Sequence, residues 1–363
     1  MAVETRTLVV DVDDTISTHI NRDYENAIPH TKIISKLNKM YDSGWKIVYF
    51  TARGQVSCNG DLDLINQLRR PVLEAWLDKH GVKYHELIFG KPIGVYYIDD
   101  KAMKPEEFMD LEYEVLKGGS GGSVEKVGDR IIKKAKNSKE QARWYKSAGS
   151  LCHVPKINTY YGDTLDMEYL NGPSLNEVCT KSHVDYLVDL LTRFSDIKVP
   201  NSNWQTMVDR IKDHMSLNAV RNEREIINLL ESKQVSDFME SQASFSHGDL
   251  TFENCIVSDD KVYLIDPNCP DNVYSSWVMD VGKIYQSLHY SYEENFSGFD
   301  SKIDKEELFR HLCGKFNNSF SKYFLLCEMI HYIRMLKYKS DDQKPLVRKR
   351  IQDIFREVKV VFR

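Results

Sequence analysis

The stretch Ser246-His247-Gly248-Asp249-Leu250-Thr251-Phe252-Glu253-Asn254, followed by Leu264-Ile265-Asp266-Pro267, constrains this chain more than any other. An acid, an amide and a second acid stand at fixed offsets, bracketed by apolar Phe245 and Val262 to Ile265. Short apolar runs bounded by polar turns read as strands, so the three polar side chains fall on loops at strand ends. Their types suit phosphoryl transfer. Asp249 can accept the proton of an attacking hydroxyl, and Asn254 and Asp266 offer hard oxygen ligands for magnesium on nucleotide phosphates. A polar loop that merely carries two acids would not need this spacing.

The spacing resembles the protein-kinase catalytic loop and its downstream metal-binding Asp, with His-Gly-Asp for His-Arg-Asp and Asp-Pro-Asn for Asp-Phe-Gly. Those two departures make it similar to the aminoglycoside phosphotransferase and choline kinase branch, which phosphorylates small molecules. The resemblance implies Asp249 as catalytic base, Asn254 and Asp266 as Mg2+ ligands, ATP as phosphoryl donor and His247 as a brace for the loop. It also implies that Asp280, in Met279-Asp280-Val281-Gly282-Lys283, steadies the loop by hydrogen bonds to its backbone.

Upstream, Leu111 to Lys117 reads as a strand opening into Gly118-Gly119-Ser120-Gly121-Gly122-Ser123. Composition alone would allow a flexible linker. The flanking strands, Val124 to Val127 and Arg130 to Lys133 around a Gly128-Asp129 turn, favour a glycine turn whose N–H groups cover ATP phosphates, Gly119, Ser120 and Gly121 at its centre. Lys133 follows two isoleucines as the phosphate-binding Lys does in kinases. Lys134 is the alternative, because a one-residue shift reverses the strand face. Glu140 is the expected ion-pair partner of Lys133, and main-chain groups from Glu168 to Leu170 resemble an adenine-binding hinge. Residues 181–240 and the tail after Lys305 read as helices.

The first hundred residues follow a different plan. Thr7 to Val10 runs into Asp11-Val12-Asp13-Asp14-Thr15, Trp45 to Phe50 into Thr51-Ala52-Arg53-Gly54, Leu87 to Phe89 into Gly90-Lys91-Pro92, and Val95 to Ile98 into Asp99-Asp100-Lys101. Helical patterns fill 31–42 and 62–80, the second broken near Pro71. Strands that deliver polar residues at their carboxyl ends build an α/β active site. The ordered set resembles the haloacid dehalogenase-type phosphatases, and its wording resembles small phosphatases of capsule and surface-polysaccharide biosynthesis. That resemblance implies Asp11 as nucleophile, Asp13 as general acid and base, and Thr51 and Lys91 as holders of the phosphoryl oxygens. Asp99 or Asp100 would complete a magnesium site with Asp11 and the Asp13 carbonyl. The gaps 16–50 and 54–89 are too short for a substantial cap beside the connecting helix. The site is therefore expected to be open, or covered by the C-terminal half or a second copy of the chain as a homo-oligomer.

With 363 residues the chain has room for two domains. We expect an α/β Rossmann-like phosphatase domain with minimal cap over 1–110. A bilobal α+β kinase-like domain is expected over 111–363, its lobes 111–170 and 171–363. The net charge of −5 gives no signature for nucleic acid or membrane. Seven scattered cysteines without a CxxC pair read as reduced thiols of a cytoplasmic protein. The combined expectation is a bifunctional enzyme that uses Mg2+ and ATP on small metabolites. Two readings of another class stay open: an enzyme that trims and phosphorylates nucleic-acid ends, and a protein with one dead, regulatory half.

Overall fold

Apolar residues recur at helical spacing in some segments and as short unbroken runs in others, and the elements follow that alternation. The computed structural model describes residues 6–99, 101–116, 122–199, 203–218, 220–268 and 274–362. Its contacts divide the chain into two compact units, Met1–Lys117 with Val124–Asp129, and Gly118–Ser123 with Arg130–Arg363.

The first unit runs β1 (Thr7–Val10), β2 (Ser17–Thr18), β3 (Ile28–Pro29), α1 (Thr31–Asp42), β4 (Lys46–Thr51), α2 (Leu62–Leu68), α3 (Arg70–Lys79), β5 (Glu86–Phe89), α4 (Pro105–Asp110), β6 (Tyr113–Leu116) and β7 (Ser123–Val127). Strands β1, β4 and β5 form a parallel sheet in that order, with Val9 opposite Val48 and Tyr49 opposite Leu87. Helix α1 buries Ile33, Ile34, Leu37 and Met40, one apolar stripe. The break between α2 and α3 falls where Pro71 enters the first turn of α3. Between β1 and α1 the only added structure is the short antiparallel pair β2–β3. Strands β6 and β7 pair antiparallel, and Glu125 of β7 is buried, accepting from Trp45 Nε1 at 2.6 Å and pairing with Arg6.

The expected strand Val95 to Ile98 is a correction. These residues form an irregular loop, with Val95 90% and Ile98 99% exposed. The segment curls on itself: Tyr97 OH donates to the Pro92 carbonyl at 2.5 Å, and Lys91 Nζ packs 4.3 Å from the Tyr97 ring. The apolar run is thus folded back rather than extended.

The second unit begins with β8 (Arg130–Lys134), α5 (Ser138–Ala148), β9 (Ile157–Tyr161) and β10 (Thr164–Glu168), then α6 (Leu175–Val178), α7 (Lys181–Asp196), α8 (Trp204–Ser216), α9 (Glu223–Leu230) and α10 (Lys233–Ser241). A 3-10 turn (Phe252–Asn254) leads to β11 (Cys255–Ser258) and β12 (Lys261–Leu264). Helix α11 (Trp277–His289), a π turn (Glu293–Ser297), α12 (Lys305–Cys313), α13 (Asn318–Met335) and α14 (Lys344–Val361) complete it. Strands β8, β10 and β9 are antiparallel, with Lys133 opposite Leu165. Helix α11 is buried from Trp277 to Leu288. It approaches α13 so closely that a Cβ on Gly282 would lie 2.7 Å from Cys327 Cβ. Among the described residues no helix is long and apolar enough to cross a membrane.

Candidate active sites

In the second unit the hairpin β11–β12 does the assembling. Asp259 and Asp260 at its tip take φ of 48° and 58°, left-handed values that close a tight turn. Cys255 pairs with Leu264, and Ile265 N donates to the Asn254 carbonyl at 3.0 Å. Asn254 and Asp266, remote enough in sequence to be independent, therefore leave the same end of the hairpin. Asn254 Nδ2 donates to the Asp249 carbonyl at 2.8 Å, which leaves its oxygen for another partner. Asp266 N donates to Tyr145 OH at 2.9 Å, and Lys133 Nζ lies 2.5 Å from Asp266 Oδ1.

The loop before Asn254 is held from two directions. Asp280 of α11 accepts from His247 N at 2.7 Å and from Gly248 N at 2.8 Å. His247 Nε2 donates to the Ile265 carbonyl at 2.9 Å, so its Nδ1 is the lone pair that meets Asp249 N at 3.3 Å. Lys283, one turn after Asp280 on α11, places Nζ 2.9 Å from Asp249 Oδ1. Burial pushes the Asp249 carboxyl up, but the Lys283 charge and hydrogen bond outweigh it and hold the group below the usual carboxylate range. Asp249 is therefore ionised at neutral pH and can accept a proton. Burial draws the His247 imidazole down to about 4 and lifts the Asp280 carboxyl to about 7, in the second case against its two backbone hydrogen bonds.

Asn254 and Asp266 fit magnesium in donor chemistry, an amide oxygen and a carboxylate at one hairpin end. A bound ion there would neutralise nucleotide phosphates. Lys133 meets Asp266 rather than Glu140, which is the correction on this side. On α5 the buried face carries Gln141, Ala142, Trp144 and Tyr145. Gln141 Nε2 donates to the Pro267 carbonyl and Tyr145 OH takes the Asp266 amide. Glu140 lies one residue off that face. Lys134 is exposed and pairs with Asp163 at 3.8 Å. Glu168 and Leu170 follow at the end of β10, the Glu168 carboxylate accepting from Lys156 N at 3.1 Å. Gly119, Ser120 and Gly121 lie outside the described residues.

In the first unit the carboxyl ends of β1, β4 and β5 converge. Lys91 Nζ is 2.6 Å from Asp11 Oδ2, and Lys91 N donates to the Thr51 carbonyl at 3.1 Å. Thr51 is fully buried, its hydroxyl oxygen accepting from Arg53 N at 3.1 Å. Arg53 grips Asp13 with two nitrogens, Nη2 to Oδ1 at 2.8 Å and Nε to both oxygens at 3.0 and 3.1 Å. It is buried, donates also to Ser17 Oγ, and stacks 4.6 Å from the Tyr24 ring.

The expected magnesium site calls for Asp99 or Asp100, of which Asp99 alone lies among the described residues. Asp99 is exposed at the end of the curled loop, its carboxylate accepting from Lys101 N at 2.7 Å. Asp100 lies outside the described residues. Among those described, no group of three His, Cys, Asp or Glu side chains is arranged to hold a metal.

Sequence reasoning missed Lys283 and Arg53. Lys283 stands three residues after Asp280, the offset that puts both on one helix face, and that periodicity was the available signal. Arg53 sits two residues after Thr51, and nothing in the spacing says that it reaches back across the sheet to Asp13.

No family model matches the chain, and no curated protein does. Solved structures do match. A structural-genomics target from Vibrio cholerae is 36% identical over 30% of this chain and 90% of its own, with a TM-score of 0.29. An ethanolamine kinase of Plasmodium vivax is 15% identical over 71% of this chain and 86% of its own, TM-score 0.45. A choline kinase of Streptococcus pneumoniae is 15% identical over 68% and 94%, TM-score 0.45.

Proposed function

We propose that the chain is a bifunctional phosphatase and kinase of small metabolites. The second unit transfers the γ-phosphoryl group of ATP to a hydroxyl. The observation that carries this reading is the convergence at one hairpin end: Lys133 on Asp266, Asn254 beside it, and Asp249 ionised by Lys283 on a loop pinned by Asp280 and His247. Nucleotide phosphates need cations and hard oxygens; the attacking hydroxyl needs a base; both needs are met within one framework.

For the first unit we propose hydrolysis of a phosphomonoester, with Asp11 as nucleophile at phosphorus and Lys91 offsetting the charge that gathers there. Asp13 would hand a proton to the leaving alkoxide, its orientation fixed by Arg53. A kinase and a phosphatase on one phosphate would cancel, so the two are assigned to different positions or compounds. Removing a phosphate from a sugar, polyol or amino alcohol and installing one elsewhere would prepare a surface-polysaccharide precursor.

A second reading is favoured by one observation. Asp13 is already ion-paired with Arg53. A first unit that binds a phosphorylated ligand without cleaving it would have this look. Phosphate release and ATP consumption across sugar phosphates, sugars and amino alcohols, with wild type, Asp11→Asn and Asp249→Asn, separate the two. Loss of phosphate release only in Asp11→Asn, and of transfer only in Asp249→Asn, supports two working sites. No release from any phosphomonoester leaves the first unit as a binding domain.

A further inference from the structure

A cavity of the second unit, about 600 Å³ in volume, is lined by none of Lys133, Asp249, Asn254 or Asp266. Its walls come from α5, the stretch 149–156, β9 and β12, and Glu168 at the end of β10 joins them. That size is typical of a small-molecule site. Two rings in the lining, His153 and Tyr263, stand 5.5 Å apart, fixed by the bridge between their backbones. Val154, Pro155 and Ile157 add apolar surface. Lys146 and Lys156 bring two cations, and neither has an ion-pair partner among the described residues. Glu168 is the one acid in the lining, its carboxylate accepting from Lys156 N. Positive charge therefore prevails.

Gly149 lines the same space, and its backbone does not call for glycine. Its φ of −62° is open to any residue. A Cβ there would meet only the Tyr145 carbonyl at 3.4 Å, Val154 Cγ2 at 3.7 Å and the Lys146 carbonyl at 4.0 Å, all ordinary contacts. What the missing side chain preserves is room. The walls also reach the groups assigned to transfer. Tyr145 lines the cavity and takes the Asp266 amide on its hydroxyl at 2.9 Å. Tyr263 lies opposite Ile256 in the hairpin whose end carries Asn254 and Asp266. A ligand in this space bears on α5 and the hairpin at once.

We propose that this cavity is an effector site for a small organic anion with a flat ring. Its carboxylate or phosphate meets Lys146 and Lys156, and its ring lies against His153 and Tyr263. Ammonium groups supply charge-assisted hydrogen bonds to such an anion, and aromatic faces supply stacking area. A ligand held by α5, the stretch 149–156 and β12 together resists sliding of α5 along the hairpin. It thereby keeps the Tyr145 hydroxyl on Asp266, and with it the acid that Lys133 meets. The binding stands on the cavity alone. Its effect, tighter use of ATP, rests on the kinase reading. By linkage, bound nucleotide tightens the cavity for the anion by the same factor.

The test is titration calorimetry on the full chain with indole-3-acetate, phenyl phosphate, tryptamine and acetate. Wild type, the double variant Lys146→Gln/Lys156→Gln and Gly149→Leu are compared, each checked for folding by its thermal melt. An anion with a ring should bind about tenfold or more tighter than tryptamine or acetate. The lysine pair should lose about tenfold or more of that affinity, and Gly149→Leu, which fills the space, should lose binding. Indole-3-acetate and phenyl phosphate tell carboxylate from phosphate. Tryptamine binding as tightly as the anions overturns the site, as does anion binding that survives both variants, or no binding of either anion. In transfer assays the bound anion should lower the ATP KM about fivefold in wild type and leave it unmoved in the lysine variant. Calorimetric binding with an unchanged ATP KM overturns the coupling. If no acceptor draws ATP turnover above that of Asp249→Asn, the kinase reading falls and the coupling with it, whereas the calorimetry still decides the site.

Discussion

His247 Nε2 donates to the Ile265 carbonyl at 2.9 Å, so the residue two before Asp249 is bonded to the residue just before Asp266. One imidazole thus ties the proton-accepting loop to the phosphate-facing loop, and its Nδ1 can accept from Asp249 N only while the ring is neutral.

That neutrality gives a pH prediction. His247 holds out to about 4 when folded, against an ordinary 6.5, so the unfolded chain binds more protons as pH falls through this range and stability is lost. Asp280 acts in the opposite sense. Its folded value near 7, against 3.8, means that stability is lost as pH rises through that range. Each effect is on the order of 3 to 4 kcal/mol across its window, so the two nearly cancel between pH 4.5 and 6.5. Urea titrations should show Asp280→Asn gaining stability with rising pH relative to wild type. A parallel pair of curves would contradict the assignment.

Lys283→Met should lower kcat for phosphoryl transfer by about 10²–10³. Without the ammonium, the largest cause opposing burial at Asp249 is gone, and the acid limb of the kcat profile moves to higher pH. A fall in kcat with the limb unmoved would mean that Lys283 acts elsewhere.

The Arg53 fork on Asp13 makes Arg53→Lys a non-conservative change, because an ammonium cannot grip both oxygens. Phosphate release should drop at least tenfold, with a loss of about 1–3 kcal/mol from the buried contacts. Release assays and thermal melts on the same samples check both halves of that statement. An unchanged rate would remove Arg53 from the positioning of Asp13.

Gly282→Ala forces a methyl against Cys327 and the α13 backbone. Overpacking of this kind costs about 1–3 kcal/mol. Because Asp280 and Lys283 flank the contact, transfer should weaken along with the melting temperature. Loss of stability with full transfer activity would show that α11 can shift without moving either side chain.

Much of this arrangement was legible in the residues. The stripe Ile33, Ile34, Leu37, Met40 announces α1, and the Gly128-Asp129 turn falls between β7 and β8 as read. Asp280 on the loop amides is what the resemblance to kinases implies. What could not be read is which side chain meets which across long separations. Glu140 lies seven residues from Lys133 on a helical stretch and so is its expected partner, whereas Asp266 reaches Lys133 through the hairpin. The run Val95 to Ile98 has strand composition, but composition does not say whether an edge accepts it. A Tyr97 hydroxyl that closes back on Pro92 is a local alternative invisible to periodicity.

Glu125 sets a limit on dissection. Arg6 and Trp45 both direct a buried donor to it, yet it lies well past Asp110, where the strand and glycine-turn pattern puts the domain boundary. A fragment ending at Asp110 would take the Glu125 carboxylate away from Arg6 and from the Trp45 indole N–H, and would expose the β6–β7 footprint as a sticky surface. Separate expression of the halves therefore calls for a fragment that runs to Asp129. Activity lost from a shorter one would report a truncated core, not an obligate partnership between the two chemistries.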